Sequence, residues 1–437
     1  MIEVSFEEAF SAQWVSRNIV DRTQDLVVLR DVIPWEKIIM RLFSFYSEEK
    51  GAIGKSLRMM IAILIVKKHY QLSDKTVIQQ IKENRYMQYF CYVPDKGMMT
   101  FLHPSSLTVL RKRLGEEGIS IIEKYIFEVF RRSGVIKGDN ALIDSTVLDN
   151  NIIYPNDVQL LYKAFSKLRQ FAVRHDIEIW WNDDEIKKKW RSFNLSKQNR
   201  AEYLFGFNEL FLPALTIFRE KVESLECSKK LKKNAWVLLD LLSLLEEQTI
   251  EKLEGKVHIQ NRIVSLHELD ARPIKKGKSH PKCEFGTTLQ MAFNREGFLI
   301  TTEIFIGKPN DKKLFSKTLE LFTQRMRETP TTVVGDLGFR SRENFKVAEK
   351  IDNVFLGRSD DVHESKREFS KKARSATEGF IAVAKNLRGF GCSLYRGLEG
   401  DRIWSLLCQT SYNLKKFLQL WREEKIPEKS LIKLGLA

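Results

Sequence analysis

Two stretches of this chain share one constraining pattern. In "NALIDSTVLDNN" the apolar run Ala141-Leu142-Ile143 leads straight into Asp144 and then continues through Val147 and Leu148; in "TTVVGDLGF" Val333-Val334 leads through Gly335 into Asp336. Short apolar runs of this kind are buried strands, and a carboxylate set into one is costly unless something cationic neutralises it. A single Asp at a strand end is ordinary turn chemistry. Two of them on neighbouring strands are different, because carboxylates brought side by side do not both stay ionised without a cation.

The intervening segments define the sheet. Beyond the 139–148 strand, residues from about 157 to 255 read as helical: "VQLLYKAFSKLRQFAV", "AEYLFGFNELFLPALTIFREKVESL" and "AWVLLDLLSLLEEQTIEKL". Strands return with "CEFGTTLQMAFN" and "FLITTEIFIG", joined as a hairpin through Arg295-Glu296-Gly297. A helix opened by Asp311, the Asp336 strand, a short strand at 353–358 and two helices complete the chain. Strand, hairpin, helix, strand, short strand, helix is the order of an α/β ribonuclease-H-like core, a mixed sheet flanked by helices. In such a sheet the Asp144 strand is central and the Asp336 strand its neighbour. The block at 157–255 becomes a helical insertion after the first strand, within a catalytic domain of 139–437.

Residues 1–138 read as an N-terminal, all-helical domain. "SLRMMIAILIVKKHY" is apolar almost all round, which predicts a core helix. "LSDKTVIQQIKENRYMQYF" opens on Ser73 as an N-cap. "HPSSLTVLRKRLGEEG" sets Leu107, Leu110 and Leu114 on one side and Arg111, Lys112 and Arg113 on or near the other. That arrangement is compatible with a helix-turn-helix-like DNA module and equally with a packing domain whose basic face is solvated.

The chemistry suited to two strand carboxylates is a site for magnesium or manganese, hard ions that take oxygen ligands. A third acidic residue from a helix completes a two-ion site for in-line phosphoryl transfer. Glu378, in "KKARSATEGFIAVAKNLRG", is the candidate, with Arg374 four residues before it and Lys385 two helical turns after it. Because Ser375 stands three residues before Glu378, "SATE" also reads as a capping box.

Charge supports a polyanionic partner. Seventy-two Lys and Arg against 57 Asp and Glu give +15 and a pI near 9.4. Residues 256–282 hold seven basic residues against two acidic ones, and Lys275, Lys276, Lys278 and Lys282 suit a DNA-tracking edge or a solvated loop. Five scattered cysteines without metal-ligand spacing argue against zinc and against a disulfide framework. The acidic opening "MIEVSFEEAF" is unlike a signal peptide, and the most apolar window, "MMIAILIV", is too short to cross a bilayer. The expectation is a soluble, cytoplasmic protein with no membrane partner. Trp180-Trp181 is either helical core or a platform for a splayed base. Asp149 and Asp157 read as cap or loop residues.

Over most of its length the chain resembles DDE transposases of bacterial insertion sequences, of the insertion-sequence-4 and insertion-sequence-5 type. "SLRMMIAILIVKKHYQLSDKTVIQQIKENRYMQYF" with "HPSSLTVLRKRL" is similar to their N-terminal domain, "LIDSTVLDNNI" to their first-Asp motif, and "VVGDLGFRSREN" to their second. "RPIKKGKSHPKCEFGTTLQMAF", "NLRGFGCSLYRGLEG" and "SYNLKKF" resemble flanking segments. Arg374, Glu378 and Lys385 fit the intervals of the family's third motif, while Lys371 stands where that motif usually has Tyr; Glu364 and Glu368 are substitutes for Glu378. The resemblance implies Asp144, Asp336 and Glu378 as ligands of two magnesium or manganese ions, with Arg374 and Lys385 on DNA near the scissile phosphate. It also implies binding of double-stranded DNA at element ends and targets, a homodimer on DNA, and nucleoid association in a bacterium. The alternatives are a transposase-derived DNA-binding protein without catalysis and a stand-alone nuclease on the same core.

Overall fold

A computed structural model describes residues 10–46, 55–93, 102–179, 181–196, 198–224, 226, 228–275, 283–357 and 363–436. Along the chain the helices are α1 (Ala12–Asn18), α2 (Asp25–Val32), α3 (Trp35–Leu42), α4 (Leu57–His69), α5 (Asp74–Glu83), α6 (Arg85–Cys91), α7 (Ser105–Ser133), α8 (Asp157–Arg174), α9 (Asp183–Ser196), α10 (Arg200–Glu223), α11 (Lys229–Leu253), α12 (Asp311–Met326), α13 (Arg342–Val347), α14 (Glu364–Leu387), α15 (Gly397–Arg422) and α16 (Glu428–Leu434). The strands are β1 (Asn140–Asn150), β2 (Arg272–Ile274), β3 (Glu284–Phe293), β4 (Leu299–Ile306), β5 (Thr332–Gly335), β6 (Asn353–Leu356) and β7 (Cys392–Ser393). They group into two compact units, Met1–Leu148 with Thr288–Ala437, and Asp149–Thr287.

In the first unit α4 is buried on every side from Leu57 to Val66, as its unbroken apolar sequence dictates. Ser73 caps α5 by accepting from Thr76 N–H. Asn84 ends α5 and caps α6 through Met87 N–H, so the one helical run expected there is two helices. Helix α7 continues well past its basic segment, bending at Gly115, where φ is 57°. One hydrophobic core runs from Leu29, Ile38 and Ile61 through Phe130 to Ile143, Phe298, Val333 and Phe417. The boundary expected at 138/139 therefore falls inside a unit: the N-terminal helices and the sheet bury their apolar faces against the same core.

The sheet of this unit has the order β4-β3-β1-β5-β6, with β7 added on β1. Strand β1 pairs with β5 in parallel, Asn140 opposite Thr332 and Ile143 opposite Gly335, and β5 pairs in parallel with β6. The Asp144 strand is thus internal and beside the Asp336 strand, as the element order predicts. The β3–β4 hairpin turns where Gly297 donates to Asn294 O, and its φ of 87° is one that glycine adopts without strain. A mixed sheet flanked by helices results, consistent with a ribonuclease-H-like fold.

The second unit, wider than the insertion expected at 157–255, packs α8 to α11 around Leu161, Phe165, Leu168, Phe207, Phe211, Phe218 and Leu242. Trp190 stacks flat on Tyr162, 4.3 Å between ring centroids, and Trp181 packs against the same core. Trp181 is therefore a packing residue; Trp180 lies outside the described residues. Asp157 begins α8 and pairs with Arg262 at 2.8 Å. Strand β2 pairs antiparallel with the start of β3, Arg272 opposite Gly286.

Candidate active site

Asp144 and Asp336 each stand one residue beyond the paired Ile143 and Gly335. Asp144 lies within β1 and Asp336 just past the end of β5, at the same level across two adjacent parallel strands, and the pairing of β1 with β5 is what brings residues 192 positions apart together. Asp144 is half-buried and Asp336 exposed. Each carboxylate accepts from the next backbone N–H, Ser145 to Asp144 at 2.6 Å and Leu337 to Asp336.

Helix α14 supplies the rest. It is continuous from Glu364, so Ser375 lies mid-helix and "SATE" is not a capping box; the position before the first turn is His363. Arg374, Glu378 and Lys385, four and seven residues apart, share one side of α14 beside the buried Ser370, Thr377 and Ala384. Arg374 Nη2 reaches Asp336 Oδ1 at 3.5 Å. Glu378 is exposed, one turn beyond Arg374. Among the described residues no three His, Cys, Asp or Glu side chains converge tightly enough to hold a metal ion, so Glu378 does not join the two aspartates in one cluster. The side chains at hand are all oxygen donors, the chemistry that magnesium and manganese select.

A further carboxylate was not singled out as a site residue. Asp311, first residue of α12, accepts from Ser145 Oγ at 3.4 Å, and its Oδ2 lies 2.9 Å from where a Cβ on Gly338 would stand. Asp311 thus bridges the segments that follow Asp144 and Asp336, and Gly338 is glycine because the carboxylate occupies the space of a side chain. Asp311, expected only to open the helix, was the available signal; Asn310 is the actual cap.

A cavity of about 1120 Å3 in the same unit is lined by Lys67, Lys68, Arg111, Lys112, Lys385 and Arg396, with Asp74 and Glu399 among its walls. Three residues expected on DNA, Arg111, Lys112 and Lys385, meet here. Lys112 is exposed and Lys385 half-buried. Arg111 is not on a solvated basic face: it is buried and grips Asp74 with two bonds of 3.0 and 2.8 Å, while Lys67 holds the same carboxylate at 2.5 Å. Burial raises the Asp74 pKa, but the hydrogen bonds from Arg111 and Lys67 outweigh it and the net shift is down. Lys68, stacked 3.1 Å over the Trp404 ring, has its pKa pushed down by burial. Lys275 is exposed in the second unit; Lys276 and Lys278 lie outside the described residues.

Residues 15–113 match the family described as Transposase domain (DUF772), and residues 262–414 match Transposase DDE domain. An uncharacterised protein of Rhizobium meliloti, ORF8 in the nfe locus, is 31% identical over 179 residues, which is 39% of this chain and 84% of that relative. No solved structure matches significantly. The chain belongs to the DDE-type transposases of insertion sequences. As such it is a polynucleotidyl transferase or endonuclease of DNA transposition, from a family that generally uses divalent metal ions. Asp336 and Glu378 fall inside the DDE match; Asp144 lies between the two matched segments. No described helix is long and apolar enough to cross a membrane.

Proposed function

We propose that the chain binds the terminal inverted repeats of its element and carries out strand cleavage and strand transfer there, with Asp144, Asp336 and Glu378 as the acidic triad. The observation that carries this reading is the placement of Asp144 and Asp336 on paired parallel strands, with Arg374 of α14 already against Asp336. Two magnesium or manganese ions held by these residues would activate water or a 3′-hydroxyl and neutralise charge on the phosphate under attack. The chain's own part is to hold the carboxylates and the DNA in register. Ser145 and Leu337 N–H groups fix the rotamers of the two aspartates, and Arg374 keeps α14 close to the end of β5. Lys385, Lys112, Lys275, Lys276 and Lys278 neutralise backbone phosphates. Glu378 would complete the triad by moving towards the two aspartates when metal and DNA neutralise the mutual repulsion of the carboxylates. In this reading residues 1–138 serve end recognition, 149–287 is an insertion in the catalytic domain, and the working form on DNA is a homodimer.

The test is cleavage of a labelled duplex carrying an element end, in magnesium and manganese, by wild type and by Asp144→Ala, Asp336→Ala and Glu378→Ala. Metal-dependent cutting that each substitution abolishes, with DNA binding retained, supports the triad. Binding without cutting by wild type would transfer the chain to the DNA-binding alternative, and cutting by Glu378→Ala would remove that residue from the site.

A further inference from the structure

Helices α10 and α11 of the second unit form an antiparallel hairpin, five residues apart in sequence and tied by Arg219 Nη2 donating to Ser243 Oγ at 3.2 Å. Phe205, Leu212 and Arg219 follow each other at seven-residue spacing on α10, and Trp236, Ser243 and Ile250 do so on α11. The Arg219–Ser243 bond puts both rows on one outward face. That face exposes Phe205 (55%), Leu212 (42%), Ile250 (39%) and Trp236 (38%), and Val237 and Leu244 widen it along α11. Single exposed apolar residues are normal. Two adjacent rows at heptad spacing are the pattern of helices that pack against further helices.

Charge along the hairpin selects the occupant. The half containing Phe205 and Ile250 (200–211 with 242–253) carries five acidic residues against two basic; the other half (212–223 with 229–241) carries six basic against three acidic. Glu209, Glu247 and Glu251 mark the first half, and Lys229, Lys230 and Lys233 the second. We propose that this face is an interface with a second copy of the chain, laid antiparallel about a two-fold axis. That arrangement sets each acidic half on the partner's basic half and brings the Phe205, Leu212 and Ile250 group across from Trp236. An isologous contact requires such self-complementarity, and a parallel arrangement would oppose like charges. A phosphate backbone lying along the whole face is disfavoured by its acidic half.

The experiment is the mass and dissociation constant of the full chain by light scattering and sedimentation without DNA. The variants are Leu212→Glu, a basic-half reversal (Lys229→Glu, Lys230→Glu, Lys233→Glu), an acidic-half reversal (Glu209→Lys, Glu247→Lys, Glu251→Lys), and the two reversals combined. Wild type is expected to dimerise; Leu212→Glu and either reversal should raise the dissociation constant about tenfold or more, and the combined reversal should restore most of it. The reversals avoid buried positions, Glu251 being half-exposed and paired with Lys256 at 2.9 Å and the other five exposed, so they decide the matter even if Leu212→Glu fails to fold; thermal melting checks each fold. A monomeric wild type, variants that leave dimerisation unchanged, or a combined reversal without recovery would overturn the proposal. Lost DNA binding at unchanged mass would do so too, assigning the basic half to phosphate instead.

Discussion

Replacing Asp74 by Asn removes one negative charge while keeping the side chain's size. In the structure that carboxylate satisfies two cations at once, Arg111 with side chain 10% exposed and Lys67 with side chain 12% exposed, and is itself 22% exposed. Taking away the shared anion leaves two sheltered cations facing each other. A fully buried ion pair broken in this way loses about 3–5 kcal/mol; partial exposure and the remaining amide bond bring the expected loss to roughly 2–3 kcal/mol. For a unit of roughly 300 residues, Met1–Leu148 with Thr288–Ala437, that corresponds to a fall in melting temperature of roughly 3–5 °C. The same change frees positive charge in the 1120 Å3 cavity. Nonspecific DNA affinity should therefore rise as stability falls, with a salt dependence steeper by about one unit of log–log slope if one more phosphate is neutralised. Differential scanning fluorimetry and fluorescence anisotropy from 50 to 300 mM salt, on the order used for such slopes, read both effects. Unchanged melting would show that Asp74 is not the clamp, and weaker DNA binding in a stably folded variant would show that the cavity does not face DNA.

Two further perturbations follow from local geometry. At Gly297, φ is 87° and an added Cβ would stand 2.6 Å from the Phe380 ring, so Gly297→Ala should lose roughly 3 kcal/mol by strain and overlap; denaturant unfolding with no change in midpoint would refute the account of this turn. Glu128 accepts from Arg131, which, with Arg132 and Arg327 nearby, brings its pKa down to about 2. A carboxylate depressed in the folded state adds stability that is present above its unfolded pKa and lost as pH falls through the folded value. Melting temperature should accordingly drop from about pH 4.5 towards 2, and Glu128→Gln should be less stable near neutrality with a shallower acid decline; an identical pH profile would remove the role.

The sheet was readable because buried strands in this fold are short apolar runs bounded by turn residues, and because the Asp144 and Asp336 runs differ from ordinary strands only in their carboxylate. The Gly297 hairpin and the all-round apolar α4 were legible for the same reason: local pattern decides them. What escaped depends on distant partners. Arg111 reads as one of three consecutive basic residues, and only the approach of α5 turns it inward onto Asp74. The core shared by the N-terminal helices and the sheet was not legible either, since a change from helix to strand at 139 says nothing of whether α7 buries its face against the sheet. "SATE" is a capping box by spacing, and only the upstream turn beginning at Glu364 places Ser375 inside a helix. Asp311 looked like helix-start chemistry until its contacts with Ser145 and Gly338 placed it beside both aspartate motifs.

The most direct test of the triad is exchange of ligand chemistry. Asp144→Cys, Asp336→Cys and Glu378→Cys each substitute a soft thiolate for a hard carboxylate, which magnesium binds poorly and manganese tolerates better. The account predicts that each variant binds end DNA normally, fails to cut it in magnesium, and regains cutting in manganese, whereas alanine at the same position regains nothing. Equal failure of the cysteine variants in both metals, or full activity in magnesium, would contradict direct metal ligation by that residue.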